Sequence, residues 1–215
     1  VALASAILTF PVNPAYALLD TMSVAELTEV MNQADATVAP AVRAALPSIA
    51  AAIEAAAERM QAGGRLVYVG AGTAGRIGVV DASECPPTFS TPPEQVFAIM
   101  AGGPNAIVNP IEGAEDDAEA GAQAVSEAAI GPLDTVVGIA SSGRTPYVIG
   151  AIERARQLGA LTVGLSCNTG TRLSASAELA IEIELGPEVI SGSTRLKAGT
   201  AQKMVLNMFS RIVMV

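Results

Sequence analysis

The stretch LVYVGAGTAGR, residues 66–76, joins a continuous run of apolar, mostly β-branched residues to a glycine-rich turn. An uninterrupted apolar run, as opposed to strict alternation, belongs to a strand buried on both faces, as in a parallel sheet covered by helices. The turn that follows lets backbone N–H groups face outward at the start of a helix, where the helix dipole adds partial positive charge. Gly70, Gly72 and Gly75 also fit the spacing GxGxxG, which invites a dinucleotide reading. That reading requires an acidic residue at the end of the next strand, about 20 residues on. The segment FAIMAGG, residues 97–103, offers only apolar residues and glycine there. A phosphate cradle and a purely structural tight turn are the other two readings of these glycines.

The same pattern repeats along the chain. Apolar runs recur at Val96–Met100, Thr135–Ala140, Leu161–Leu165 and Ala180–Ile183. Amphipathic or Ala-rich stretches near 73–80, 114–129, 146–157 and 170–177 separate them, long enough for right-handed crossovers. The expected architecture is α/β, a doubly wound, flavodoxin-like sheet of about five parallel strands flanked by helices. Before it, residues 22–62 carry helical spacing, with Ser23 placed to cap a helix and Glu26 three residues on, until Gly63-Gly64 stops the pattern. The organisation is read as an N-terminal segment and helical lead-in over 1–62 and one domain over 63–215. A last helix starts near Leu196.

Composition narrows the function. Twelve basic against 21 acidic residues give a formal charge of −9, a field that repels phosphate backbones and anionic lipid. Neither nucleic acid nor a membrane surface is an expected partner. No run approaches the ~20 apolar residues of a membrane span. A small anionic ligand stays compatible, because backbone N–H groups and one or two cations create a positive site locally. The sequence holds no histidine, so acid/base chemistry falls to carboxylates, Cys, Lys or Tyr, and the commonest zinc ligand is missing; no metal site is expected. Cys85 and Cys167 have no CxxC spacing, which fits a reducing, cytoplasmic setting. The opening VALASAILTF is apolar but follows no basic n-region, so an export signal is not expected. The absence of an initiator Met marks a processed, trimmed or partial chain.

In an open parallel sheet ligands bind beyond the carboxyl ends of the strands. Besides the turn holding Gly72 and Thr73, the loop SSGRTP, residues 141–146, stands there. Ser141, Ser142, Gly143, Arg144 and Thr145 precede a helix that Pro146 is suited to open. Their hydroxyls, N–H groups and one cation suit an anion, the alternative being a simple N-cap. The segment DASECPPTF, residues 81–89, sets Glu84 in a loop stiffened by Pro86 and Pro87, the rigid placement an acid/base carboxylate needs; a surface glutamate is the plain alternative. On spacing alone Glu115, in GAEDD (113–117), reads as a charge capping a helix start. The segment 186–203 gathers Glu188, Ser193 and Lys197 around glycines, as a ligand-closing loop or a polar helix start.

Taken together, GAGTAGRIGVVDASECPPTF (70–89), EGAEDD (112–117), SSGRTPYV (141–148) and GPEVISGSTRLKAGTAQKMVLNM (186–208) resemble, in order and spacing, the N-acetylmuramic acid 6-phosphate etherases of the SIS (sugar isomerase) superfamily. The resemblance runs from about Asn13 to Met208. It implies a cofactor-free cleavage of the D-lactyl ether at C3 of a phosphosugar by elimination and then hydration, giving N-acetylglucosamine 6-phosphate and lactate. It also implies that Glu84 protonates the leaving lactate, that Glu115 assists proton removal at C2, and that the chain forms a homodimer with residues of both copies at each site. Gly72, Thr73, Ser141, Ser142, Gly143, Arg144, Thr145, Glu188, Ser193 and Lys197 are then the expected substrate contacts. Two departures stand out: Ala74 occupies a position usually held by serine, and Val12 one often held by arginine. The family continues into a further helical region after Met208, whereas the sequence here ends at Val215. A phosphosugar sensor without catalysis and a sugar-phosphate isomerase are the competing readings.

Overall fold

The computed structural model describes residues 13–215; the apolar opening segment and Val12 lie outside the described residues. Five strands, β1 (Leu66–Gly70), β2 (Val96–Met100), β3 (Thr135–Ile139), β4 (Leu161–Ser166) and β5 (Leu179–Glu182), form one parallel sheet in the order β2-β1-β3-β4-β5. All four pairings are parallel, with Leu66 opposite Val96 on one side and Thr135 on the other. The chain leaves β1 for one flank and then crosses back to build the other, so the topological switch point lies between β1 and β3. This is the expected flavodoxin-like architecture.

Alternation along each strand divides the core. Leu66 and Tyr68 face one side, with Ile139, Val163 and Ile181. That side is covered by α2 (Val38–Ala44), α3 (Leu46–Gln61), α4 (Gly72–Ser83) and α10 (Lys197–Val213). Val67 and Val69 face the other, beneath α7 (Ala118–Glu127) and α8 (Pro146–Gln157). Fully buried Phe209, Leu206, Ile49 and Ile152 each contribute roughly 1.5–3 kcal/mol through the apolar surface they remove from water.

The helical lead-in is present. Ser23 caps α1 (Val24–Asp35) with the reciprocal bonds the sequence predicts: Ser23 N–H donates to Glu26 Oε2 at 2.8 Å and Glu26 N–H donates to Ser23 Oγ at 3.3 Å. The second stretch is not one helix. Pro47, lacking an N–H, sits in the first turn of α3, and the chain bends 60° between the segment 24–44 and α3. Among the described residues no single helix is long and apolar enough to cross a membrane. Two further departures are short helices. The segment Cys85–Phe89, expected as a loop, is a short helix α5 opened by its two prolines, because a proline in the first turn forfeits no intrahelical bond. A one-turn helix α6 (Asn105–Val108) follows β2. The remaining short helix, α9 (Arg172–Ser176), lies between β4 and β5.

Candidate active site

At the switch point Gly70 is paired with Ile139, which sets the turn after β1 beside the loop after β3. Gly72 adopts φ +55°, a left-handed conformation costly for other residues, and its successor Thr73 enters the first turn of α4. Across the crevice Gly143 has φ +65°, and a Cβ there would lie 2.4 Å from Thr171 Cβ, so only glycine lets the loop after β3 pack against the start of α9. The Ser141 carbonyl is fixed from β4's end, accepting from Asn168 Nδ2 at 2.8 Å and Cys167 N–H at 3.0 Å.

A cavity of about 280 Å³ opens between the two loops, bordered by Gly72, Thr73, Ala74, Ser141, Ser142, Thr145 and Glu115, with Gly192 and Thr194 closing it from the segment before α10. A second cavity, about 240 Å³, adjoins it, sharing Ala71, Gly72 and Glu115 and adding Arg76 and the segment 110–114. The first cavity has hydroxyls on three sides. None serves as a simple helix cap: Thr145, the residue before α8, makes no capping bond with its side chain. Ser142 Oγ accepts the N–H of Arg144 at 3.2 Å, and Ser141 Oγ accepts from Gln202 Nε2 at 2.9 Å. A hydroxyl engaged as an acceptor keeps its proton for another partner, so this wall is a set of donors next to the N-terminus of α4, the arrangement an anion takes.

Glu115 is not the cap its spacing indicated. It lies exposed on a 3-10 turn, Ala114–Asp116, while Asp117 is the N-cap of α7. Glu84 stands elsewhere: exposed at the junction of α4 and α5, it borders neither cavity. α4 starts at the glycine turn, so at 1.5 Å per residue its far end lies roughly 18 Å along the helix axis. A buried network holds that end: Tyr68 OH donates to Asp81 Oδ2 at 2.8 Å, and Ser210 OH donates to Asp81 Oδ1 at 3.2 Å, from α10. Burial pushes the Asp81 carboxyl above the usual range against the hydrogen bonds of Tyr68 and Ser210 and the charge of Arg211.

Of the other expected contacts, Arg144 is exposed beside the loop, and Ser193 lies between Gly192 and Thr194, which border the cavity in its place. Glu188 and Lys197 are buried. Glu188 accepts the N–H groups of Lys197 at 3.1 Å and Ala198 at 2.9 Å, capping α10, and Lys197 Nζ donates to the Leu185 carbonyl at 2.7 Å. Burial pulls the Lys197 ammonium below the usual lysine range, against the charges of Glu188 and Asp35. Both side chains anchor the loop that carries Gly192 and Thr194. Sequence reasoning passed over Arg76, whose Nε and Nη2 each donate at 2.8 Å, to the Ile107 and Ala106 carbonyls, so that it holds α6 at the second cavity's edge. It also passed over Gln202, a fully buried amide in the apolar stripe of α10 that includes Ala201, Val205 and Leu206. A polar residue in such a stripe was the available signal. Among the described residues no group of three or more His, Cys, Asp or Glu could hold a metal ion.

A parallel sheet in this order, with hydroxyl-lined loops at its switch point, is the architecture of a SIS domain. Residues 48–156 match the family described as glucokinase regulatory protein N-terminal SIS domain, and residues 116–211 match the SIS domain family. The chain belongs to the N-acetylmuramic acid 6-phosphate etherase family. It is 59% identical over 203 residues to the N-acetylmuramic acid 6-phosphate etherase of Streptomyces avermitilis, covering 94% of this chain and 65% of the relative. With that of Rubrobacter xylanophilus the identity is 57%, covering 94% of this chain and 67% of the relative. The chain thus spans about two thirds of the length of these relatives. A phosphoheptose isomerase from Francisella tularensis shares the fold at 20% identity, with a TM-score of 0.65 over 91% of this chain and 97% of that one.

Proposed function

We propose that the chain cleaves the D-lactyl ether of N-acetylmuramic acid 6-phosphate, giving N-acetylglucosamine 6-phosphate and D-lactate, without a cofactor. The observation that carries this reading is Glu115: exposed, released from capping duty, and bordering the cavity whose other walls are hydroxyl donors. In the ring-opened sugar the C1 aldehyde acidifies the C2 proton, and Glu115 assists its removal. The C2 electron pair forms the C2–C3 double bond as the C3–O bond breaks, and the lactate oxygen takes a proton from Glu84. Water then adds its hydroxyl at C3 and a proton returns to C2. Thr73, Ser141, Ser142 and Thr145 hold the phosphate, Gly72 and Gly143 allow its close approach, and Arg144 adds charge from the rim. Glu188, Ser193 and Lys197 shape the closing loop. The substrate unit is residues 63–215, preceded by the N-terminal segment and helical lead-in over 1–62.

The position of Glu84 favours a homodimer. One chain separates it from the cavity by the length of α4, so a two-fold pair in which each copy presents Glu84 to the other's cavity completes the acid/base couple. Two free, buried thiols fit action in the cytoplasm. Incubation of the folded chain with N-acetylmuramic acid 6-phosphate is expected to release lactate; none from a folded dimer overturns the reading. A second reading, a phosphosugar-binding regulatory protein without turnover, is favoured by the match of residues 48–156 and by Ala74. Calorimetric binding of the phosphosugar without lactate would establish it.

A further inference from the structure

Gln202 stands in the middle of α10's buried face with no exposed surface, 61 residues from Ser141 in sequence, yet its Nε2 donates to Ser141 Oγ at 2.9 Å. Its own Oε1 is buried and accepts no hydrogen bond among the described residues. An unpaired buried carbonyl is a standing cost, which an apolar residue of the same length would not carry. The useful part of this amide is therefore its N–H.

Ser141 has one proton and two acceptor lone pairs on its hydroxyl. With an acceptor site filled by Gln202, the proton is left to point toward the cavity that Ser141 borders. Without that bond the hydroxyl rotates, and it can spend its proton on any nearby carbonyl. Ser142 receives the same treatment locally, from the N–H of Arg144 at 3.2 Å. Ser141 depends instead on a residue from the last helix. The backbone of Ser141 is pinned independently through its carbonyl by Asn168 and Cys167, so the contribution of Gln202 is confined to the hydroxyl.

We infer that Gln202 is a positioning residue for anion recognition, polarising the Ser141 hydroxyl so that it donates to the phosphate of a bound phosphosugar. This rests on the reading of the cavity as a phosphosugar site. It couples the seating of α10 on the sheet to the affinity of a loop with which that helix shares no backbone hydrogen bond among the described residues.

The test is a double-mutant cycle read by calorimetry with N-acetylglucosamine 6-phosphate, alongside thermal melting. Gln202→Met, unbranched and of similar length, is expected to weaken binding about five- to tenfold, the loss of one oriented hydrogen bond. Ser141→Ala is expected to lose at least as much, and the double variant no more than Ser141→Ala alone, because Gln202 acts only through that hydroxyl. Losses that add, or a Gln202→Met chain that binds as the wild type does, overturn the inference while leaving the site reading intact. A wild-type chain that binds no phosphosugar overturns both. Should the Met variant melt before titration, the wild-type chain decides. Its Gln202 side-chain amide resonance is expected to shift on titration with N-acetylglucosamine 6-phosphate and to stay still with N-acetylglucosamine. An unmoved amide overturns the inference.

Discussion

Asp117 accepts the backbone N–H of Ala120 at 2.9 Å, and this bond relieves Glu115 of any part in starting α7. The two carboxylates are two positions apart, yet they should respond oppositely to removal. Glu115→Gln is expected to cut lactate release by at least about a hundredfold, the scale of acid/base assistance, with the melting temperature unmoved. Asp117→Ala is expected to lower stability by about 1 kcal/mol, or roughly 2–4 °C in melting temperature. Melting curves beside a lactate assay check both, and a Glu115→Gln chain with full turnover removes the assignment.

Ala74 borders the main cavity from the first turn of α4 and is almost fully buried. Its methyl offers no hydrogen bond where the wall is otherwise rich in hydroxyls. Ala74→Ser is expected to tighten N-acetylglucosamine 6-phosphate binding by roughly five- to tenfold, one added hydrogen bond to a charged group. N-acetylglucosamine without the phosphate should gain nothing. Calorimetry with the two sugars separates these outcomes.

The sheet was legible because its three central strands are buried on both faces, which leaves runs such as Leu66–Val69 with no charged interruption. The glycine turn and the SSGRTP loop were legible for a local reason as well: φ above zero and hydroxyl donors are properties of residue types. What failed was decided by partners distant in sequence. Nothing near Glu188 indicates that it is buried beneath the N-terminus of α10, and Lys197 looks solvated until Leu185's carbonyl is brought to it. The choice between Glu115 and Asp117 as cap turned on the 3-10 turn at Ala114–Asp116, which shifts the start of α7 by a few residues. Pro86 and Pro87 signalled a stiff loop, but the same residues open a helix equally well.

Both thiols should be inert in the folded chain. Cys167 is fully buried, and burial, with the charge of Glu188, pushes it up to about 12; burial and Asp81 raise Cys85 as well. The thiolate is the reactive form, so neither is populated near neutral pH. A thiol-reactive disulfide reagent at pH 8 is expected to label no cysteine in the native protein and both in denaturant. Rapid native labelling would contradict the packing around them.

Arg65 and Asp134 tie the start of β1 to the start of β3, with Arg65 Nη2 donating to Asp134 Oδ2 at 2.6 Å, and Arg65 N–H donating to Asp134 Oδ1 at 2.9 Å. Burial alone would raise the Asp134 carboxyl, but hydrogen bonds from Arg65 and Gly131 outweigh it and hold it below the usual range. A carboxyl depressed in the folded state stabilises above its unfolded value, about 4, and that contribution is lost as pH falls through the lower folded value. Asp134→Asn is expected to cost roughly 1–3 kcal/mol at pH 7 and less as the acid window is entered. Melting temperatures of both proteins from pH 7 downward should therefore converge, and a constant gap would exclude the linkage.

The separation of Glu84 from the cavity by α4 makes a prediction about mixtures. If each site takes Glu115 from one copy and Glu84 from the other, homodimers of Glu84→Gln and of Glu115→Gln are both inactive. A mixed dimer pairs the intact Glu115 of one variant with the intact Glu84 of the other, restoring one of its two sites. Random re-association makes half the dimers mixed, so equal mixing after dissociation is expected to return about a quarter of wild-type lactate release. Mixing without subunit exchange should return nothing, which guards against contamination by active protein. If exchange is demonstrated by mass and the mixture stays dead, both glutamates belong to one chain's site, and the path from α4 to the cavity must be closed by movement within that chain.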